Sequence, residues 1–345
     1  MRMTTQHIPY LDGWRGLAIL LLLVGHFFPV DGINLGIVGV ALFFALSGHL
    51  MTWALFVKGM DIRVFYRRRI SRVMPSIVVY LALITGFFLV TGQQIVLGEL
   101  LPALTFTNNY FVTSDWTMPF GHIWSLSVEE HAYIVLALAA CWCRWRGTDA
   151  TRTIALILCV ILVAIAVYAF VPGLQARGAS LRTEQASFGI FMAGLVLLAS
   201  RDGGLRGAAV WIAPVALLLG IAAHWWSVPA SVRIVASGTA FALSINTMHA
   251  APEWFRSLLE WSWLRRLGLY SYSIYLWQQP MYQLCRDIDL APELGLALAL
   301  LAGWVAFHLV ERPLRSWLNS GWAAESGAPV GAKVASNDVR PHSIS

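Results

Sequence analysis

Gly13-Trp-Arg-Gly-Leu-Ala-Ile-Leu-Leu-Leu-Leu-Val-Gly-His-Phe-Phe-Pro29 holds a cation, Arg15, and an imidazole, His26, inside one apolar run. The two lie eleven positions apart. At about 100° per residue, eleven steps return a helix to nearly the same face, roughly 16 Å further along its axis. Two such groups on one stripe of a membrane helix are costly unless they face a protein interior or an aqueous cavity. The stretch therefore predicts both a membrane helix and polar chemistry inside the membrane.

The rest of the chain has the same character. Of its 345 residues 58% are hydrophobic and only 12% charged, against about 25% charged in soluble globular domains. Apolar runs recur along the sequence and predict an all-α, polytopic bundle of about ten transmembrane helices. Their approximate bounds are 14–30, 35–57, 75–91, 123–143, 153–171, 186–199, 208–225, 230–248, 268–284 and 293–311. The first run is too long for a signal peptide and lacks a small-residue cleavage site, so it is expected to stay in the mature protein. Residues 1–318 form the expected membrane domain. Residues 319–345, rich in Gly, Ala, Ser and Asn, read as a disordered cytoplasmic tail.

Basic residues give the orientation. With the N-terminus in the cytoplasm, nineteen of the 24 Lys and Arg residues fall inside. Four fall outside (Arg177, Arg182, Arg233 and Arg286), and Arg15 lies near the inner end of the first helix. This bias and the even number of spans place both termini in the cytoplasm. The net charge of +6 is then topology and attraction to lipid headgroups, not a nucleic-acid footprint. The four cysteines lie in or beside apolar helices, with Cys141 and Cys143 pointing apart, so neither a metal site nor a redox pair is expected.

Five stretches of the sequence carry candidate chemistry. Arg15 and His26 read either as a snorkelling cation and a helix-bridging histidine, or as parts of a site in which His26 is a general base or an acyl-carrying nucleophile. Arg68, Arg69 and Arg72 share a helical face at i,i+3 and i,i+4. They suit a phosphate-rich ligand, and topology signalling is an equal alternative. Gly121-His-Ile-Trp-Ser-Leu-Ser-Val-Glu-Glu-His-Ala-Tyr133 sets Glu129 and Glu130 beside a membrane helix. One glutamate is expected to orient His26 and the other to brace the helix. Thr105-Phe-Thr-Asn-Asn-Tyr110, in the largest outer loop, reads as a lid or a saccharide-facing surface. Tyr270-Ser-Tyr-Ser-Ile-Tyr-Leu-Trp-Gln-Gln-Pro280 is polar and aromatic, and its Ser271, Ser273 and Gln278 more often bridge helices than touch substrate.

The order of these motifs resembles the acyltransferase-3 family of membrane acyltransferases. The elements are Tyr10-Leu-Asp-Gly-Trp-Arg-Gly-Leu-Ala18 with His26, Phe43-Phe-Ala-Leu-Ser-Gly48, Arg68-Arg-Ile-Ser-Arg72 with Pro75, Trp124-Ser-Leu-Ser-Val-Glu-Glu130, Tyr272-Ser-Ile-Tyr-Leu-Trp277 and Glu311-Arg-Pro313. The resemblance spans residues 8 to about 315. It implies a ten-helix module that takes an acyl group, typically acetyl, from cytoplasmic acetyl-CoA and transfers it to a hydroxyl. Arg15 and His26 match the family's Arg-x10-His motif, Arg69 and Arg72 its Arg-x-x-Arg motif, and Glu129 and Glu130 its Ser-Leu-Ser-Val-Glu-Glu element. His49, Gln278 and His131-Ala132 depart from the family pattern and bear on the acceptor. In particular, Gln278 stands where relatives carry histidine.

The implied function is O-acylation of a saccharide: a surface polysaccharide, an exopolysaccharide or a lipopolysaccharide precursor. The setting is the bacterial inner membrane, with membrane lipids and glycan-biosynthesis proteins as partners. Catalytic roles fall to His26, Glu130, Glu129 and Arg15, and CoA phosphates to Arg68, Arg69 and Arg72. Some relatives carry a soluble domain after the bundle. None is expected here, so the membrane module is expected to act alone or with a separate partner. The other reading is a proton-coupled transporter or flippase using the same intramembrane charges.

Overall fold

The structure is a computed structural model that describes residues 8–111, 116–175, 178–201 and 209–325. Every extended element among these residues is helical. In chain order they are α1 (Pro9–Phe27), α2 (Leu35–Thr52), α3 (Ile62–Val90), α4 (Leu97–Leu104), α5 (Trp124–Arg146), α6 (Ala150–Phe170) and α7 (Thr183–Ala186). There follow α8 (Phe188–Ala199), α9 (Ile212–Ala222), α10 (Ala230–Asn246), α11 (Glu253–Glu260), α12 (Ser262–Asp287), α13 (Pro292–Ala306) and α14 (Arg312–Glu325). One wide π turn continues α2 through Trp53–Val57, and another, Phe307–Glu311, joins α13 to α14.

Local chemistry explains several boundaries. Asn34 accepts a hydrogen bond from the Ile37 amide at 3.1 Å and starts α2. Asp61 accepts from the Arg63 and Val64 amides at 2.8 and 3.3 Å, so α3 begins well before its apolar run and the arginine cluster is helical. Gly147, at φ 64°, ends α5 in the left-handed conformation that glycine adopts most easily.

Among the described residues, five helical stretches are long and apolar enough to cross a membrane: Leu35–Val57, Ile62–Val90, Gly121–Arg146, Ala150–Phe170 and Pro292–Trp322. The other expected spans coincide with helices that are short, such as α8 and α9, or interrupted by polar groups, such as α1 and α12. Helix α14 reaches Glu325, past the expected domain boundary at 318. Residues 326–345 of the expected tail lie outside the described residues.

The packing places α1 at the centre, between α2 and α12. Gly13 and Gly16 let α1 pack closely on α11 and α12: a methyl group there would overlap the carbonyl oxygen of Leu259 or Leu264, respectively. Helices α1 and α12 run the same way, with Asp12 and Gly16 against Gly268 at one end and His26 against Gln278 at the other. Helix α3 shares that direction, since the Val73 carbonyl accepts from Tyr272 and Tyr80 packs edge-on to Trp277. Helix α5 runs against it. The molecule thus has an Arg15 end and a His26 end. A second group of helices, α8, α9 and α10, covers the far side of α2 around Leu42, Ala193 and Phe241.

The segment between α3 and α5 braces itself. The Glu99 carboxylate accepts from the Thr117 and Met118 amides at 3.0 and 2.7 Å. Asn108 donates to the Phe120 carbonyl at 3.1 Å and accepts from Ser127 at 2.7 Å. Asn108 and Asn109 are buried. The saccharide-facing surface expected here is therefore not formed by these two side chains: Asn108 supports the start of α5, and Asn109 donates to Thr183 of α7 at 3.0 Å.

Candidate active site

A cavity with about 740 Å³ of open space lies between α1, α2, α3, α5 and α12. Arg15, Arg69, Arg72 and Glu129 contribute its charged lining, and Ser125 and Tyr275 line it towards the His26 end. Phe43, Phe44, Leu50 and Met51 of α2 supply apolar wall. It reaches from the Arg15 end into the bundle.

Arg69 organises one wall. Its Nε donates to Glu130 Oε1 at 2.7 Å and its Nη2 to Glu129 Oε2 at 2.9 Å. The guanidinium also lies over the Tyr133 ring, 4.2 Å from its centroid. The Tyr133 hydroxyl donates to Glu129 Oε2 at 2.9 Å, and Ser47 donates to Glu129 Oε1 at 3.0 Å. Two carboxylates thus share one cation and two hydroxyl donors within a largely buried cluster. Losing one partner from such a network leaves a buried polar or charged group uncompensated.

The arginines do not form one face. Arg69 and Arg72 line the cavity, whereas Arg68 is exposed and lies outside it. Arg15 donates from Nη1 to Asp12 at 2.8 Å and still lines the cavity. Near Arg72, the buried Glu311 accepts from Ser273 at 2.6 Å and has Arg72 and Arg315 as cationic neighbours. Glu311 is thus part of the inner charge network, beyond the family motif to which the sequence alone assigns it.

His26 stands apart from the glutamates, and the carboxylate expected to orient it is absent from its contacts. Its Nδ1 lies 2.7 Å from Gln278 Oε1, and its ring stacks on Tyr282 with centroids 4.8 Å apart. The physical reason is length: Glu129 and Glu130 sit more than a helical turn inside α5, held there by Arg69, while His26 occupies the opposite end of α1. A carbonyl oxygen as partner puts the proton on Nδ1 and leaves the lone pair on Nε2. That nitrogen faces α2 at Gly36, where a Cβ would come within 3.1 Å of it. His26 does not line the cavity.

Side chains not singled out from the sequence join these two regions. At the cavity floor the Ser125 hydroxyl lies 2.6 Å from the Tyr275 hydroxyl, which also donates to the His122 carbonyl. The His122 ring packs 5.2 Å from Tyr275 and 5.6 Å from Tyr80, and is an electrostatic neighbour of His26. Gln278 was legible as a helix-bridging residue, since a polar side chain in hydrocarbon more often bridges helices than touches substrate. Nothing local in the sequence marks Ser47, Tyr133 or Tyr275 as partners. Among the described residues no cluster of three or more His, Cys, Asp or Glu side chains is placed to hold a metal ion.

Comparison with known proteins agrees with this arrangement of motifs. The chain is 21% identical to the O-acetyltransferase OatA of Staphylococcus aureus, over 90% of this chain and 57% of that protein. It is 27% identical to the putative peptidoglycan O-acetyltransferase YrhL of Bacillus subtilis, over 90% of this chain and 56% of that protein. The chain thus spans little more than half the length of these curated relatives. No solved structure matches it. The acyltransferase-domain model matches residues 8–310, nearly the whole of the described bundle, and the chain belongs to that family, the acyltransferase-3 family.

Proposed function

We propose that this chain is an integral membrane O-acetyltransferase that moves an acetyl group from acetyl-CoA to a saccharide hydroxyl. The observation that carries the reading is the arginine-lined cavity, which enters from the Arg15 end and stops at Ser125 and Tyr275, beside the His122–His26 cluster. The setting is the bacterial inner membrane, crossed by about ten helices with both termini in the cytoplasm. The Arg15 end then faces the cytoplasmic acyl-CoA pool. Two relatives named as O-acetyltransferases support the acetyl group and the hydroxyl acceptor. A surface glycan or a lipid-linked glycan is the acceptor class, and glycan-biosynthesis proteins are the natural partners.

In this reading Arg72 and Arg15 hold CoA phosphates inside the cavity, with exposed Arg68 at its approach. Arg69 is a positioning residue, since two carboxylates already neutralise it. Glu129 and Glu130 hold that wall of the cavity rather than the imidazole. His26 accepts the acceptor hydroxyl's proton at Nε2 while Gln278 holds Nδ1–H. The alkoxide oxygen bonds to the thioester carbonyl carbon, the C–S bond breaks, and CoA leaves as thiolate to take up a proton. Reaction requires the thioester to pass the Ser125–Tyr275 floor.

The test is turnover of labelled acetyl-CoA by full-length protein in nanodiscs with a bacterial glycan-lipid extract, wild type beside His26→Ala. Acceptor-dependent CoA release should fall by roughly 10²–10⁴-fold, the usual general-base contribution. Acceptor-dependent transfer that survives in folded His26→Ala would remove His26 from the chemistry. Absence of turnover with any donor would move weight to transport.

A further inference from the structure

A second cavity, with about 550 Å³ of open space, lies at the His26 end on the opposite face of α2. Val40 and Phe44 line both cavities, so α2 is the partition between them. Trp124 stands edge-on to Phe44, with centroids 5.9 Å apart and planes at 90°, and gives the second cavity an aromatic wall.

The polar lining is unlike that of a lipid-filled gap. His224 is only 2% exposed, yet neither ring nitrogen makes a hydrogen bond. Leaving a buried imidazole N–H unpaired is costly, so the group is better satisfied with a ligand present. Arg233 lines the same cavity and is the cationic neighbour of His224. Its guanidinium makes no ion pair or hydrogen bond with another described residue. Ser180 and Ser237 add hydroxyls. A guanidinium, an unpaired N–H donor and two hydroxyls beside an aromatic ring match a sugar that carries an anionic oxygen group.

We propose that this cavity binds the anionic group of an acidic saccharide acceptor, with Arg233 and His224 on its carboxylate and Trp124 against its ring. The proposal rests on the O-acetyltransferase reading for the word acceptor, but the site itself is tested by binding. It also gives the reaction a geometry: donor and acceptor occupy separate cavities on the two sides of Phe44.

The experiment uses full-length protein in phosphatidylcholine nanodiscs and two probes that differ only at C6. These are 4-nitrophenyl β-D-glucuronide and 4-nitrophenyl β-D-glucoside, followed by saturation-transfer NMR and competition. The glucuronide should bind more tightly by roughly ten- to a hundredfold, the range for charge-assisted hydrogen bonds. Arg233→Gln should abolish that preference, Arg233→Lys should keep part of it, and His224→Gln should weaken it. Equal binding of the two probes would overturn the proposal, as would a preference that survives Arg233→Gln. Loss of the preference when phosphatidylglycerol replaces phosphatidylcholine would mean that a lipid headgroup, not a saccharide, occupies the site, and would also overturn it. Acetyl-CoA turnover, measured on the same samples, separates the two ideas: glucuronide binding without turnover sinks the enzyme reading alone, and turnover without binding preference sinks the acceptor site alone.

Discussion

Glu129 takes hydrogen bonds from Ser47, Tyr133 and Arg69, and these turn its carboxylate towards α2 and α3 rather than towards a distant imidazole. Removing one partner from such a buried set leaves an uncompensated charge, which typically costs about 3–5 kcal/mol. Arg69→Met should therefore lower the thermal midpoint strongly in wild type. It should cost much less in a Glu129→Gln/Glu130→Gln background, where no carboxylate is stranded. Equal costs in both backgrounds would show that Arg69 and the glutamates are not coupled. His224 gives a second residue-scale test, in the loop between α9 and α10. Burial, reinforced by Arg233, lowers its pKa from 6.5 to about 4. Between those two values the unfolded chain binds a proton that the folded chain does not. Stability therefore falls as pH drops through that window, by up to about 3 kcal/mol once both forms are protonated. Thermal midpoints at pH 7 and pH 4.5 should accordingly fall further in wild type than in His224→Phe. The same drop in both would assign the acid sensitivity elsewhere.

Among the helices, α1 and α12 show why hydropathy alone misjudges this fold. Both carry polar groups that count against a membrane span, yet those groups pair within the bundle: Arg15 with Asp12, His26 with Gln278, Ser273 with Glu311. The Arg15–His26 spacing was legible because period and polarity survive in the sequence. The partners were not, because contacts between α1 and α12, or between α3 and α5, are set by packing over long sequence separations. The start of α3 was missed for a different reason. A membrane reading follows the apolar run, while Asp61 caps the helix well upstream of it. Close packing makes its own prediction here. A methyl at Gly268 would overlap the Asp12 carbonyl oxygen, so Gly268→Ala should push α12 off α1 and lower both stability and turnover. A methyl at Gly86, inside α3, would meet nothing within 4 Å, so Gly86→Ala should be neutral or stabilising by roughly 0.5–1 kcal/mol. Similar thermal midpoints for the two variants would argue against the α1–α12 contact.

For the whole molecule, the decisive feature is that two cavities from opposite ends meet at one helix. Neither cavity is readable from sequence, since their linings come from helices far apart in the chain, and the expected acid–base pairing of His26 with a glutamate gave no hint of a partition. Phe44 is 5% exposed and lines both cavities, with Trp124 packed across it. If it separates an acyl donor from its acceptor, its bulk also keeps water from reaching the thioester by the acceptor's route. Phe44→Ala should then uncouple the reaction: CoA release without acceptor should rise while labelled product per CoA released falls. The truncation itself should cost about 3–5 kcal/mol of stability, so the ratio of product to CoA is the useful measure, because it is independent of how much protein remains folded. Phe44→Trp, which keeps the partition, should hold that ratio near the wild-type value. A ratio unchanged in Phe44→Ala would mean that the two cavities do not exchange contents through α2, and that the acceptor reaches the thioester by another path.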